Sequence, residues 1–281
     1  MPAPAAAVGP AAPRLSLLAP FRLLVTQWHL IAQLTRREIA SRYRGSRFGM
    51  LWSILNPLLL LGVYTFVFST VFRMRWGPQG DGTAAFAMMV FAGLVVHGLF
   101  AECANRAPGL VVAHANYVKK VVFPLEVLPW VTVLAALFHT GISLLVLVIF
   151  IVVSGRAVPI TVLTVPLIFL PLVLFTVGAT WFLSAVGVYL RDIGQTIGLV
   201  TTLLLFMSPV FYPLEAVPPQ YRSIIQWNFL TPIISDLRAA ALAGNMPDWP
   251  RWLGMMLAGA LVAAAGLYWF RRSRRGFSDV L

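Results

Sequence analysis

Along this chain of 281 residues the apolar positions gather into long runs instead of alternating with polar ones. Six such runs stand out, at residues 48–72, 83–101, 130–153, within 157–190, at 193–212 and at 252–270. Each is long enough to cross about 30 Å of hydrocarbon as a helix, at about 20 residues per span. Pro57, Pro166, Pro171 and Pro209 fall inside them and predict kinks that neighbouring helices can accommodate. The pattern predicts an all-α polytopic membrane protein with six transmembrane helices.

Before the first run the period changes. In "FRLLVTQWHLIAQLTRREIASRYR" (21–44), Arg22, Thr26, His29, Gln33 and Arg36 or Arg37 share one helical face. Leu24, Trp28, Ile31 and Leu34 share the other, widened by Leu23 and Leu30. Residues 21–47 therefore predict a basic amphipathic helix, lying in a membrane interface or packed on the protein's own spans. Residues 1–20 open on "MPAPAAAVGPAAP", which lacks the apolar core of a signal peptide and reads as a disordered arm.

Composition agrees with this organisation. Hydrophobic residues make up 59% of the chain and charged ones 11%, against about a quarter charged in soluble domains. One cysteine excludes a disulfide framework and any multi-cysteine metal site. The net charge of +12 is a topology signal and not a nucleic-acid footprint. With six spans, fifteen basic residues fall on the side of the termini and six on the other. Basic residues are retained in the cytoplasm, so both termini are expected there, with residues 271–281 as a short tail.

Two connections are unusual. "ECANRAPGLVVAHANYVKKVVFPLEVLP" (102–129) holds the chain's only lysines, Lys119 and Lys120. Helix formers mixed with Pro108, Gly109, Pro124 and Pro129 predict a short helix over 110–121, ended before Pro124. A loop that merely sets topology would also keep its lysines there. Glu126, a carboxylate between apolar neighbours beside the bilayer, needs a partner that sequence cannot name. The second connection, residues 213–248, is too apolar for an exposed loop and too interrupted by proline to span. It predicts short helices re-entering from the outer side as a re-entrant hairpin.

Catalytic chemistry is missing from the sequence. Neither lysine follows a glycine, so no Walker A loop exists; no H-E-x-x-H occurs, and acidic residues are scattered. No metal site, cofactor or catalytic residue is expected. His97 and His139 are expected to be hydrogen-bonded within the bundle. Tyr64, Phe68 and Phe72 recur at i, i+4 and i+8 on the first span, and Trp181 and Tyr212 lie in or after later ones. Aromatic faces with polar tips can stack on sugar rings, which would suit a polysaccharide conduit; ordinary packing or lipid contact is the alternative, and the favoured one for any single residue.

Three stretches resemble one family, the ABC-2 type permeases that export O-antigen, capsule or teichoic acid. "SRYRGSRFGMLWSILNPLLLL" (41–61) is similar to that family's entry into the first span, and "NYVKKVVFPLEVLP" (116–129) to its first cytoplasmic loop. "YLRDIGQTIGLVTTLLLFMSPVFYPLEAVP" (189–218) is similar to its fourth-to-fifth span connection. Leu125 departs from the pattern, standing where a basic residue is common.

The resemblance implies a homodimeric permease of the bacterial inner membrane, paired with two ATPase subunits that hold ATP and magnesium. It implies an ABC-2 transmembrane domain over 48–270 and a lipid-anchored polysaccharide as cargo, with membrane lipids and periplasmic export components as further partners. Residues 102–129 would couple to the ATPase through Asn116, Tyr117, Lys119, Lys120, Phe123 and Glu126. Residues 213–248 would form a periplasmic gate with Pro213, Pro218, Tyr221 and Trp227, and Pro209 just before the segment would belong to it. Arg42, Arg44 and Arg47 would attract an anionic lipid head. Alternatives are an ABC-2 permease for a small lipid or drug, and a non-transporting scaffold for a polymer synthase.

Overall fold

A computed structural model describes residues 15–44, 48–67, 83–116 and 123–281. Helices account for its architecture, and no strand occurs among the described residues. In chain order they are α1 (Ala19–Thr26), α2 (Trp28–Tyr43), α3 (Trp52–Tyr64), α4 (Thr83–Leu110) and α5 (Val127–Val153). There follow α6 (Val165–Tyr189), α7 (Ile193–Met207), α8 (Pro219–Trp227), α9 (Leu230–Arg238), α10 (Trp249–Ser273) and α11 (Phe277–Val280). Arg47, Phe68, Phe72, Tyr117, Lys119 and Lys120 lie outside the described residues.

Five helical stretches are long and apolar enough to cross a membrane, at 49–67, 84–110, 127–153, 160–189 and 249–280. The expected span at 193–212, fifth in chain order, is shorter: α7 has 15 residues and stops at Met207, not at 212. The Tyr212 hydroxyl donates to the Phe206 carbonyl at 2.8 Å, folding the next residues back on the helix end.

The predicted amphipathic segment is two helices instead of one. Gln27, at φ −109° and ψ 17°, breaks it between α1 and α2. Leu23 and Ile31 are buried as their face requires, whereas Trp28 on the same predicted face is half exposed. The break turns Trp28 onto a strip with Leu18, Phe21 and Val25, all exposed.

A second difference concerns α4. Its helix was expected to end near Ala101, yet it runs on through Pro108 to Leu110, 28 residues or about 42 Å. Gly187 of α6 makes room for that proline turn, since a Cβ there would meet the Pro108 carbonyl oxygen at 2.2 Å. The extension puts Glu102 and Arg106 on helix, one turn apart.

At the centre stands α6, packed against α4, α5 and α10. Its contact with α10 is the most extensive between any two elements. There the backbones nearly touch, because a Cβ on Gly266 would lie 2.1 Å from the Gly178 carbonyl oxygen. Small residues at a helix crossing are how membrane helices gain dispersion contact when lipid gives no hydrophobic drive. Trp181, Phe270 and Phe277 are fully buried along this seam.

Candidate functional site

Polar chemistry concentrates at two ends of the bundle, the end that carries the described chain tail and the end that carries α8 and α9. At the tail end, loop 102–129 is held at both sides by different partners.

Where the loop begins, α2 lies against α4 and α5. Arg42 pairs with Glu102, and Arg106 with Glu38, while Arg106 Nη1 lies 3.9 Å from Glu102 in its own helix. These side chains are about a quarter to a third exposed. The Tyr43 hydroxyl meets His139 Nδ1 at 3.0 Å, and burial holds the Tyr43 phenol above its ordinary pKa. A cavity of about 380 Å³ separates α2 from the loop, lined by Arg37, Glu38, Arg106, His114 and Asn116. Asn116 is exposed beside it.

Where the loop ends, Glu126 has its partner. Arg274 Nη1 reaches both carboxylate oxygens at 3.0 Å, and Arg271 Nε lies 3.9 Å away. Arg274 Nη2 also donates to the Phe123 carbonyl at 3.2 Å. From below, the Trp181 indole N–H donates to the Glu126 carbonyl at 3.0 Å. Leu125 is buried and belongs to the core.

The expected roles of several residues change with this geometry. Arg42 is committed to Glu102, so its charge is offset within the chain; Arg44 is exposed. Trp181 has no exposed surface, packs edge-on against Trp130 and holds Glu126, so it does not line a channel face. Tyr64 and Tyr212 are half-buried, and Tyr64 packs on Phe211 at 5.7 Å between ring centres. His97 Nε2–H donates to the Thr201 carbonyl, 2.9 Å away, within the bundle as expected.

At the hairpin end, α8 and α9 differ sharply. Tyr221 and Trp227 on α8 are exposed, Trp227 at 90%. By contrast α9 is buried at Leu230, Ile233, Ile234 and Leu237. Asn228 joins the two, donating to Ser208 Oγ at 2.8 Å and capping α9 through the Leu230 amide. Pro209 is buried, Pro213 half-buried and Pro218 exposed along the approach to α8.

Sequence reasoning missed the centre of this region. Arg238 is buried. It donates to the Met89, Pro209 and Val210 carbonyls at 2.9, 2.7 and 2.9 Å. Burial lowers its pKa to about 9, so it stays cationic at neutral pH. Gly93 leaves it room, because a Cβ there would stand 3.0 Å from Nη2. A signal was available: Arg238 continues the stripe of Leu230, Ile234 and Leu237, and a charge on an apolar stripe needs partners. Asp236 is tied in turn to Arg251 of α10.

Comparison with known proteins adds the remaining evidence. Residues 29–242 match the model of the ABC-2 type transporter membrane family. An O-antigen export system permease protein RfbA from Klebsiella pneumoniae is 27% identical over 253 residues, 90% of this chain and 95% of the relative. A protein of the same name from Myxococcus xanthus is 27% identical over 252 residues, 89% of this chain and 94% of its own. The Escherichia coli polysialic acid transport protein KpsM is 26% identical over 220 residues, 75% and 81% of the two chains. With three quarters of its length matched and a helical bundle to carry it, the chain belongs to the ABC-2 type transporter family.

Proposed function

We propose that this chain is the membrane subunit of a polysaccharide exporter of the bacterial inner membrane, driven by a separate ATPase. The observation that carries the reading is similarity to O-antigen export permeases along 90% of the chain. On this reading two copies of the chain pair with two ATPase subunits, and a lipid-anchored polysaccharide leaves between the copies. Both termini are cytoplasmic, as the arginine distribution requires. The tail end of the bundle is then the cytoplasmic end.

In this frame α7 is the fifth membrane crossing in chain order, bringing the total to six. Its 15 residues extend only about 22 Å, so residues 208–212 complete the passage where Arg238 supplies donors for the buried carbonyls of Pro209 and Val210. Helices α8 and α9 form the re-entrant hairpin, and α8 is its movable, outward part. Loop 102–129 meets the ATPase and α2 lies in the headgroup region, with Trp28, Phe21 and Val25 facing lipid. ATP stays on the partner; this chain supplies the path and the gate.

Two measurements test the reading together. Purified gently from its native membranes, the tagged chain should bring a P-loop ATPase in fixed ratio. Deleting the gene should leave polymer inside the cell, with export restored by the wild-type chain. Normal surface polysaccharide in the deletion strain sinks the proposal.

A further inference from the structure

We propose that the chain tail is part of the coupling machinery, with Arg274 the positioning residue that holds loop 102–129 to the last span. The inference rests on the reading of that loop as the ATPase-facing segment.

The tail is folded onto the bundle and is not a free end. Phe277 is fully buried, with its ring centre 5.6 Å from that of Phe270 and 6.0 Å from that of Tyr189. The Tyr189 hydroxyl donates to the Ser273 carbonyl at 2.9 Å. Gly276 is needed for that approach, since a Cβ there would stand 2.6 Å from the Tyr189 hydroxyl oxygen. The turn bearing Arg274 is thus fixed to the ends of both α6 and α10.

From that fixed turn Arg274 takes three acceptors of the loop's exit, both oxygens of Glu126 and the Phe123 carbonyl. Trp181 takes the Glu126 carbonyl from α6. Segment 123–128 is therefore attached to α6 and α10, which move as one body because their backbones meet at Gly178 and Gly266. The loop's other end is attached elsewhere, to α2 through Glu102 and Arg106. A push on the loop strains these two attachments against each other. Arg274 decides whether α10 follows.

The guanidinium of Arg274 is partly exposed, 39% by side chain against 11% for Glu126, and Arg271 Nε, 3.9 Å away, leaves that carboxylate a second cation when Arg274 is replaced. A residue needed only for folding would be placed deeper. This one can be removed while the bundle stands, and what is lost is the attachment.

The test uses the full chain assembled with its ATPase in proteoliposomes, reading polymer exported per ATP hydrolysed. Arg274→Glu should lower that ratio roughly tenfold, inside the 5–150-fold range of ordinary coupling energies. ATP turnover and retention of the ATPase should be unchanged. Arg274→Lys, which keeps charge but loses the fork, should fall between, and Glu126→Arg with Arg274→Glu should recover most of the ratio. A wild-type ratio in Arg274→Glu overturns the tail's role and leaves the exporter reading standing. A loss of yield, ATP turnover and export together, unrelieved by the exchange variant, also overturns it, since that is a folding role. A wild-type chain that never retains an ATPase sinks the exporter reading and this inference with it.

Discussion

Arg274 and Arg238 are both arginines that tie one segment to another, and they do so by opposite means. At the tail end the partly exposed Arg274 meets the nearly buried carboxylate of Glu126. At the hairpin end Arg238 is enclosed and donates to three backbone carbonyls. Water competes for the exposed guanidinium, which discounts this pair toward the about 0–1 kcal/mol of surface ion pairs. A buried carbonyl left without its donor costs about 1–3 kcal/mol, and no rearranged side chain replaces it easily. The first kind of tie can be made and broken in a working cycle. The second fixes a floor on which something else moves, here α8 against α9.

The largest effect should come from breaking the fixed tie. Arg238→Leu leaves carbonyls of Met89, Pro209 and Val210 without their donor, which predicts a loss of about 3 kcal/mol or more. Membrane yield and melting in detergent would register it. Arg238→Lys should recover only part, since one ammonium cannot span the same acceptors. A variant that melts like wild type would remove the distinction drawn above.

Next comes the seam that connects the two ends. Gly266→Ala places a methyl against the Gly178 carbonyl, and overpacking of this kind costs about 1–3 kcal/mol. Melting should fall accordingly, and export should fall with it because α10 no longer sits on α6.

The exposed ties should behave differently. Arg42→Gln and Glu102→Gln each remove one side of the α2–α4 pair at about a quarter exposure, so melting should shift by about 1 kcal/mol or less. Export measured on the same preparations should drop by more than that shift accounts for. Equal, proportionate losses would make α2 a purely structural brace.

The smallest effect is one of pH. Burial raises the Asp236 carboxyl above its ordinary value, with the Arg251 charge opposing. A carboxyl raised in the folded state stabilises fully below the unfolded value and loses that contribution as pH climbs through the folded one. Wild-type melting should therefore decline modestly from about pH 4 upward, the unfolded aspartate value. Asp236→Asn cannot ionise and should flatten that part of the profile. A steeper decline in the variant would contradict the assignment.

Much of the bundle could be read from the chain because a bilayer allows so few solutions. A run such as 130–153 has no way to satisfy its backbone in lipid other than a helix, and α5 covers it. The hairpin's composition likewise announced short helices, and α8 and α9 are short helices. The errors came where a local signal met a distant neighbour. Pro108 reads as a helix end, yet α4 passes through it because Gly187, far along the chain, leaves space. Segment 21–44 reads as one amphipathic helix, yet α1 packs toward α10 and α2 toward α5, so Gln27 bends between them.

The sequence by itself determined the class, the apolar helices and the want of any nucleotide-binding loop, since these depend on composition and short-range period. It also marked Glu126 as needing a partner. Only the tertiary structure decided that the partner is Arg274, 148 residues away, and that Arg238 faces carbonyls and not solvent. Charges choose among acceptors by distance in space. In a chain where arginines outnumber carboxylates, period and spacing leave that choice open until the helices have packed.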